Sequence, residues 1–112
     1  MPEIIWDQFE QVEMRVGTIL HAEPLPKARK PAYKLIIDFG EGLGQRQSSA
    51  QITVHYTPEE LIGKQIVAVV NFPPKLIAGF RSECLVMGVY DNGKDVVLLA
   101  PSKPVSNGSV IG

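Results

Sequence analysis

Groups able to bind a ligand concentrate in NFPPKLIAGFRSE, residues 71–83, which interrupts the most apolar part of the chain. Its adjacent prolines stiffen the backbone and so reduce the conformational entropy lost when a ligand docks. We predict that this segment forms one wall of a ligand groove. The alternative is a rigid loop that packs over one end of the domain or into a subunit interface. The side chains expected to contact the ligand are Asn71, Phe72, Lys75, Arg81, Ser82 and Glu83.

Uncharged polar side chains alternate with small and apolar ones in RQSSAQITV, residues 46–54. This period of two is typical of a β-strand with one polar face. Amides and hydroxyls both donate and accept hydrogen bonds, so the face can meet a phosphate, a base edge or a peptide backbone. We predict that Gln47, Ser49 and Gln51 form the floor of the groove. The alternative is an ordinary solvated strand face.

The densest positive charge lies in PKARKPAYK, residues 26–34, which contains no acidic residue. Lysine and arginine bind phosphate through charge and charge-assisted hydrogen bonds. The alternative is a solvated loop whose lysines only keep the domain soluble. We expect any RNA contact to use Lys27, Arg29, Lys30 and Lys34 together with Lys75 and Arg81.

No group of residues has the spacing of a catalytic or metal site. His21 and His55 lie in unrelated segments and belong to no Cys/His or Ser/His motif. The single cysteine, Cys84, opens an apolar segment, as a small core residue does. We therefore predict no catalytic residue, no metal and no cofactor. An enzyme that uses Cys84 or Ser48 is the remaining alternative.

Composition predicts a single globular domain over residues 1–112. Hydrophobic residues make up 45% of the chain and charged residues 21%, with a net charge of -1, so charge-driven binding must come from a local patch. No apolar run approaches the roughly 18 residues of a membrane span. Acidic residues precede the first basic one, unlike in a signal peptide, and one cysteine fits a reducing compartment. We expect a cytoplasmic protein without membrane insertion.

Short β-type segments separated by turn residues account for most of the chain. In TPEELIGK, residues 57–64, Thr57 and Glu60 predict a capped helical turn, and Asn92-Gly93 predicts a type I′ hairpin. A helix between the third and fourth of five antiparallel strands predicts an all-β, five-stranded OB-fold barrel. A small β-sandwich is the competing architecture. The predicted strands cover residues 15–22, 33–39, 46–54, 65–71, 84–90 and 95–100. In the first of them, one face is expected to carry Val16, Thr18, Leu20 and Ala22.

Two predicted strands are apolar on both faces, which a lone small barrel does not require. In residues 65–71 the outward side chains Val67 and Val69 are as apolar as the inward ones, Ile66, Ala68 and Val70. Residues 84–90 repeat this pattern. We predict that the N- and C-terminal extensions and a second copy of the chain cover this outer face in a homodimer. The expected interface residues are Trp6, Phe9, Val67, Val69, Val110 and Ile111.

Several motifs together resemble one known family. VEMRVGTI at 12–19, IDFG at 37–40, RQSSAQI at 46–52, YTPEELIGK at 56–64 and the segment 71–83 are similar to the dimeric tRNA-binding-domain family, which has an OB-fold. That family includes free-standing tRNA-binding proteins and the appended C-terminal domains of some methionyl-tRNA synthetases. Within it, SSAQIT, NFPPK and IAGFRSE resemble an export-related bacterial chaperone branch.

The resemblance implies a homodimer that binds unfolded or preprotein peptide segments, with a role in protein export. In the tRNA-binding members the Ser-Glu pair is commonly followed by Gly-Met, whereas here Ser82-Glu83 is followed by Cys84-Leu85. A structure-specific tRNA-binding protein is the alternative that the family offers.

Overall fold

Nine β-strands and two short helices follow one another along the computed structural model, which describes residues 1–112. The helices are α1 (Trp6–Glu10) and α2 (Pro58–Leu61). The strands are β1 (Met14–Pro24), β2 (Tyr33–Asp38), β3 (Gln45–Ala50), β4 (Gln65–Val69), β5 (Lys75–Ile77), β6 (Phe80–Ser82), β7 (Leu85–Val86), β8 (Gly88–Asp91) and β9 (Asp95–Leu98). Neither helix is long and apolar enough to cross a membrane.

Five strands form one antiparallel sheet in the order β3-β2-β1-β4-β7, and β5-β6 and β8-β9 are separate hairpins. The sheet curls until its two edges almost meet. There the amide of Glu83 donates to the carbonyl of Gln47 at 2.8 Å, and the hydroxyl of Ser48 donates to the carbonyl of Cys84 at 3.0 Å. The predicted five-stranded OB-fold barrel, with a helix between its third and fourth strands, is confirmed.

The barrel encloses one apolar core, and α2 closes one end of it. The capping box of α2 forms as predicted, because the Thr57 amide donates to the Glu60 carboxylate at 2.7 Å and the Glu60 amide to the Thr57 hydroxyl at 3.4 Å. This cap places Leu61 in the core. The core residues are Ile19, Ala22, Tyr33, Leu35, Ile37, Phe39, Ile52, Leu61, Ile66, Ala68, Val70 and Cys84.

A β-bulge makes the predicted alternation of the first strand wrong. The pairing of β1 with β2 shifts register between Ile19 and His21. One extra residue reverses the side to which the following side chains point. Ile19, before the bulge, lies in the core and Leu20 is exposed, whereas Ala22, after the bulge, lies in the core although simple alternation from Ile19 would place it outside.

Two other predicted strands end or divide differently in the structure. β3 ends at Ala50, so the chain from Gln51 to Val54 is not extended strand as predicted. The predicted strand 84–90 divides into β7 and β8. The Asn92-Gly93 turn between β8 and β9 has positive φ at both residues, 53° and 79°, as a type I′ hairpin requires.

Both terminal segments are hydrogen-bonded to the barrel. The C-terminal segment lies beside β1. There the Val16 amide donates to the Ser109 carbonyl at 3.0 Å, and the Gly108 amide donates to the Val16 carbonyl at 2.7 Å. The N-terminal segment is held by Asn71, whose side chain accepts from the Glu13 amide at 3.0 Å and donates to the Gln11 carbonyl at 2.7 Å. Contacts within one chain therefore anchor the C-terminal segment and residues 11–13, whereas residues 1–8 are all exposed.

Candidate ligand groove

The segment 71–83 contains a hairpin, β5-β6, that stands beside the free edge of β3. The Gln47 side chain donates to the Arg81 carbonyl at 2.8 Å, and the Ser49 amide donates to the Ser82 hydroxyl at 3.3 Å. At the tip of the hairpin, Ala78 and Gly79 both have positive φ, 52° and 76°, which permits a tight two-residue turn. These contacts fix the hairpin as a wall against the strand.

Between this wall and β3 lies a cavity of about 420 Å³, which we call the apolar compartment. Phe72 is 54% exposed there in the folded chain, and Leu85 is exposed as well. These two side chains and Ile77 give the compartment accessible apolar surface, while serine hydroxyls and one lysine provide its polar groups. Its lining residues are Ser49, Phe72, Pro73, Lys75, Ile77, Ser82, Cys84 and Leu85.

A second cavity, of about 530 Å³, adjoins the first, and we call it the basic compartment. It lies between the loop that joins β1 to β2 and the tip of the β5-β6 hairpin. Ser49 and Ile77 line both compartments, so the two form one groove. The lining residues of the basic compartment are Lys27, Ala28, Arg29, Lys30, Ala32, Ser49, Gln51, Ile77 and Ala78.

The basic compartment carries positive charge that the chain does not neutralise. The five ion pairs of the structure involve none of Lys27, Arg29 and Lys30. Lys34 differs from them, because its ammonium lies 3.6 Å from the Glu23 carboxylate and 5.5 Å from the centre of the Phe80 ring. No carboxylate lines either compartment.

Of the predicted peptide-binding residues, the structure brings Ser49, Gln51, Phe72, Lys75 and Ser82 to the groove. Of the other four side chains, three are used within the fold, whereas that of Arg81 is 63% exposed. Asn71 holds the N-terminal segment, Gln47 holds the hairpin, the Glu83 carboxylate accepts from the Gln47 amide at 3.1 Å, and Arg81 lies 3.9 Å from Glu83.

Of the predicted RNA-binding residues, Lys27, Arg29 and Lys30 come together in the basic compartment, and Lys75 lines the apolar one. Lys34 and Arg81 line neither compartment; the Lys34 ammonium lies 3.6 Å from the Glu23 carboxylate, and the Arg81 side chain is 63% exposed, 3.9 Å from the Glu83 carboxylate.

The residues predicted for a dimer interface differ in accessibility within one chain. Trp6 is 79% exposed, and its ring contacts that of Phe9 edge to face, with the centroids 6.5 Å apart. Val110 is exposed, and Ile111, Phe9 and Val67 are half-buried. Val69 is only 4% exposed, so the chain itself already covers this side chain.

Sequence reasoning missed seven lining residues, namely Ala28, Ala32, Pro73, Ile77, Ala78, Cys84 and Leu85. The strand-turn-strand pattern of KLI-AG-FRS was the available signal for the hairpin that presents Ile77 and Ala78.

The two residues considered as nucleophiles are buried. Burial raises the pKa of the Cys84 thiol from 9.0 to about 11, which lowers its thiolate fraction and therefore its reactivity at neutral pH. Ser48 is 0% exposed and donates its hydroxyl hydrogen to the Cys84 carbonyl. Neither side chain has the environment of an activated nucleophile.

Comparison with known proteins gives one family. Residues 14–110 match the model of a family described as "Putative tRNA binding domain". The chain is 54% identical to the chaperone CsaA of Bacillus anthracis str. Ames, covering 99% of this chain and 100% of that one with a TM-score of 0.94. It is 46% identical to a CsaA chaperone protein of Picrophilus torridus, covering 98% of this chain and 100% of that one with a TM-score of 0.92.

A longer relative contains a similar region. The chain is 45% identical over 105 residues to a methionine–tRNA ligase of Methanococcus aeolicus. The match covers 94% of this chain and 15% of the ligase, so the chain spans a small part of that enzyme's length.

Proposed function

The chain belongs to the tRNA-binding-domain family, and we propose that it is a homodimeric chaperone that binds unfolded or preprotein peptide segments. The observation that carries the proposal is the apolar compartment beside β3, where Phe72, Ile77 and Leu85 offer apolar surface next to hydroxyl groups. Unfolded segments expose apolar side chains that folded proteins bury. An apolar cavity with few polar groups accepts many such side chains, which gives the loose specificity that a chaperone needs.

Similarity supports the same proposal. Two chaperones named CsaA are 54% and 46% identical to this chain over their whole lengths. A role in protein export enters the proposal through the resemblance of the segment 71–83 to the export-related branch. A cytoplasmic location belongs to the proposal too, because the one cysteine is free and fits a reducing compartment.

The dimer in this proposal rests on apolar surface around the two terminal segments. Ile4, Ile5, Trp6 and Val110 are all more than half exposed in one chain, and the first three line an apolar cavity with Phe9. Apolar patches of this kind mark protein interfaces. A second copy of the chain would cover the patch by a two-fold symmetric contact, as in most small homo-oligomers.

Structure-specific tRNA binding is the second candidate, and the basic compartment is the observation that favours it. Lys27, Arg29 and Lys30 are free of internal partners, as phosphate-binding cations must be. The name of the matched family and the methionine–tRNA ligase relative point the same way. Three phosphate contacts give a slope of log affinity against log salt concentration of roughly -2 to -3.

One titration separates the candidates. A fluorescent extended peptide with a Leu-Phe centre and Gln flanks, and a folded tRNA, are each titrated with the protein at 50 and 300 mM salt. The chaperone proposal expects measurable peptide affinity that changes little with salt, because apolar contacts carry it. Binding of tRNA alone, with the steep salt dependence given above, would instead support the second candidate.

A further inference from the structure

We infer that the groove selects extended segments in which an apolar side chain lies within a few residues of acidic side chains. The apolar side chain enters the apolar compartment, and the Asp or Glu carboxylates enter the basic compartment. The inference rests on the proposed function, since it concerns the same groove, and it names the class of peptide that the groove prefers. It also gives the basic loop between β1 and β2 a role in polypeptide binding.

The arrangement of the two compartments permits one ligand to occupy both. Ser49 and Ile77 line each of them, so a chain leaving one compartment passes directly into the other. An extended peptide advances about 3.3 Å per residue and points successive side chains to opposite sides, so a few residues bridge neighbouring cavities. The side chains of Ser49 and Gln51 make no hydrogen bond within the chain and remain free for the peptide backbone.

Charge complementarity decides what occupies the basic compartment. Three cationic side chains line it, none of them has an internal ion pair, and no carboxylate is present to compensate them. A peptide carboxylate supplies the missing negative charge, and the guanidinium of Arg29 can bind it with two parallel hydrogen bonds. A lysine-rich segment would instead meet like charge, which disfavours its binding.

The lining of the groove favours a polypeptide over single-stranded RNA. Proteins that bind single strands stack the bases on aromatic side chains. No aromatic residue lines the basic compartment, and Phe72 is the sole aromatic residue that lines the apolar one. The floor strand contributes Ser49 and Gln51, which can bond to a peptide backbone and offer no stacking surface.

The test uses three peptides of equal length with the same Leu-Phe centre and with Glu, Gln or Lys flanks. The protein should bind the Glu peptide roughly tenfold more tightly than the Gln peptide at 50 mM salt, because three exposed ion pairs each contribute a small factor. The Lys peptide should bind most weakly. The Glu-to-Gln difference should shrink at 500 mM salt, where exposed charges are screened.

Two triple variants assign this preference to the basic compartment. Lys27→Gln, Arg29→Gln and Lys30→Gln together should remove the preference for Glu flanks and leave the affinity for the Gln peptide unchanged. The matched control replaces Lys64, Lys94 and Lys103 by Gln, exposed lysines that line neither compartment. It changes the net charge by the same amount and should keep the preference.

Four results overturn the inference, and they differ from one another. Equal affinity of the parent for the Glu and Gln peptides shows that the compartment does not select carboxylates. If both triple variants lose the preference for Glu flanks equally, the preference comes from net charge alone. Loss of tRNA binding in the first variant, with all peptide affinities unchanged, assigns the compartment to RNA. If none of the three peptides binds, the proposed function fails along with the inference.

Discussion

Phe72→Ala is the substitution that most directly weakens apolar capture by the groove. Phe72 lines the apolar compartment and is 54% exposed. A phenylalanine presents about 200 Å² of surface, so roughly 110 Å² remains free for a ligand to cover. At about 25 cal/mol per Å², covering most of that area contributes roughly 2 kcal/mol to binding. The dissociation constant of the Gln-flanked Leu-Phe peptide should therefore rise roughly 10- to 100-fold.

The control for Phe72→Ala is Leu76→Ala. Leu76 lies on β5 in the same hairpin and is 74% exposed, but it lines neither compartment. Fluorescence anisotropy with the labelled peptide gives both dissociation constants, and circular dichroism with sedimentation checks that each variant keeps its fold and association state. Parent-like affinity of Phe72→Ala, or an equal loss in Leu76→Ala, would refute apolar capture at this site.

Three further predictions concern the fold and the association of the chain. Gly17→Ala should lower the free energy of unfolding by about 1–3 kcal/mol in urea denaturation, because the new Cβ would lie 2.6 Å from the Ile37 side chain; unchanged stability would contradict this packing. Burial raises the pKa of Cys84 to about 11, so the unfolded chain loses the thiol proton first as pH rises. In urea denaturation between pH 9 and 11, the free energy of unfolding of the parent should therefore fall by up to about 1.4 kcal/mol per pH unit more than that of Cys84→Ala. The same pH dependence in both proteins would contradict this prediction. Sedimentation should give a particle of twice the 12.3 kDa chain mass, and dilution should shift the emission of the single tryptophan, Trp6, to the red as the proposed interface opens; a compact monomer at micromolar concentration would rule out the dimer.

Local chemistry accounts for the parts of the fold that the sequence predicted well. The capping box of α2 needs only Thr57 and Glu60, three residues apart, and it forms as expected. The alternation predicted for residues 65–71 places Ile66, Ala68 and Val70 in the core, because a strand wall of a small barrel has one inward face.

The differences arise where tertiary contacts override the local pattern. The bulge in β1 depends on how that strand pairs with β2, which alternation along one strand cannot reveal. The strands β5 and β6 have three residues each, which is too short for a clear period-two signal.

The same reason explains which site residues could be recognised. The net charge of segment 26–34 is a local property, and three of its cations do come together. The roles of Asn71 and Gln47 are set by hydrogen bonds to residues 58 and 34 positions away in the sequence. Their side chains look available in the sequence, whereas the fold already uses them.

Mapping the bound peptide by nuclear magnetic resonance tests the central claim most directly. The Gln-flanked Leu-Phe peptide is titrated into ¹⁵N-labelled protein while the amide resonances are followed. Peptide capture in the groove should give saturable shifts at Phe72, Ile77 and Ser82, with little change at Lys94 and Lys103. Saturable shifts confined to residues outside the groove, or no shifts at millimolar peptide, would contradict it.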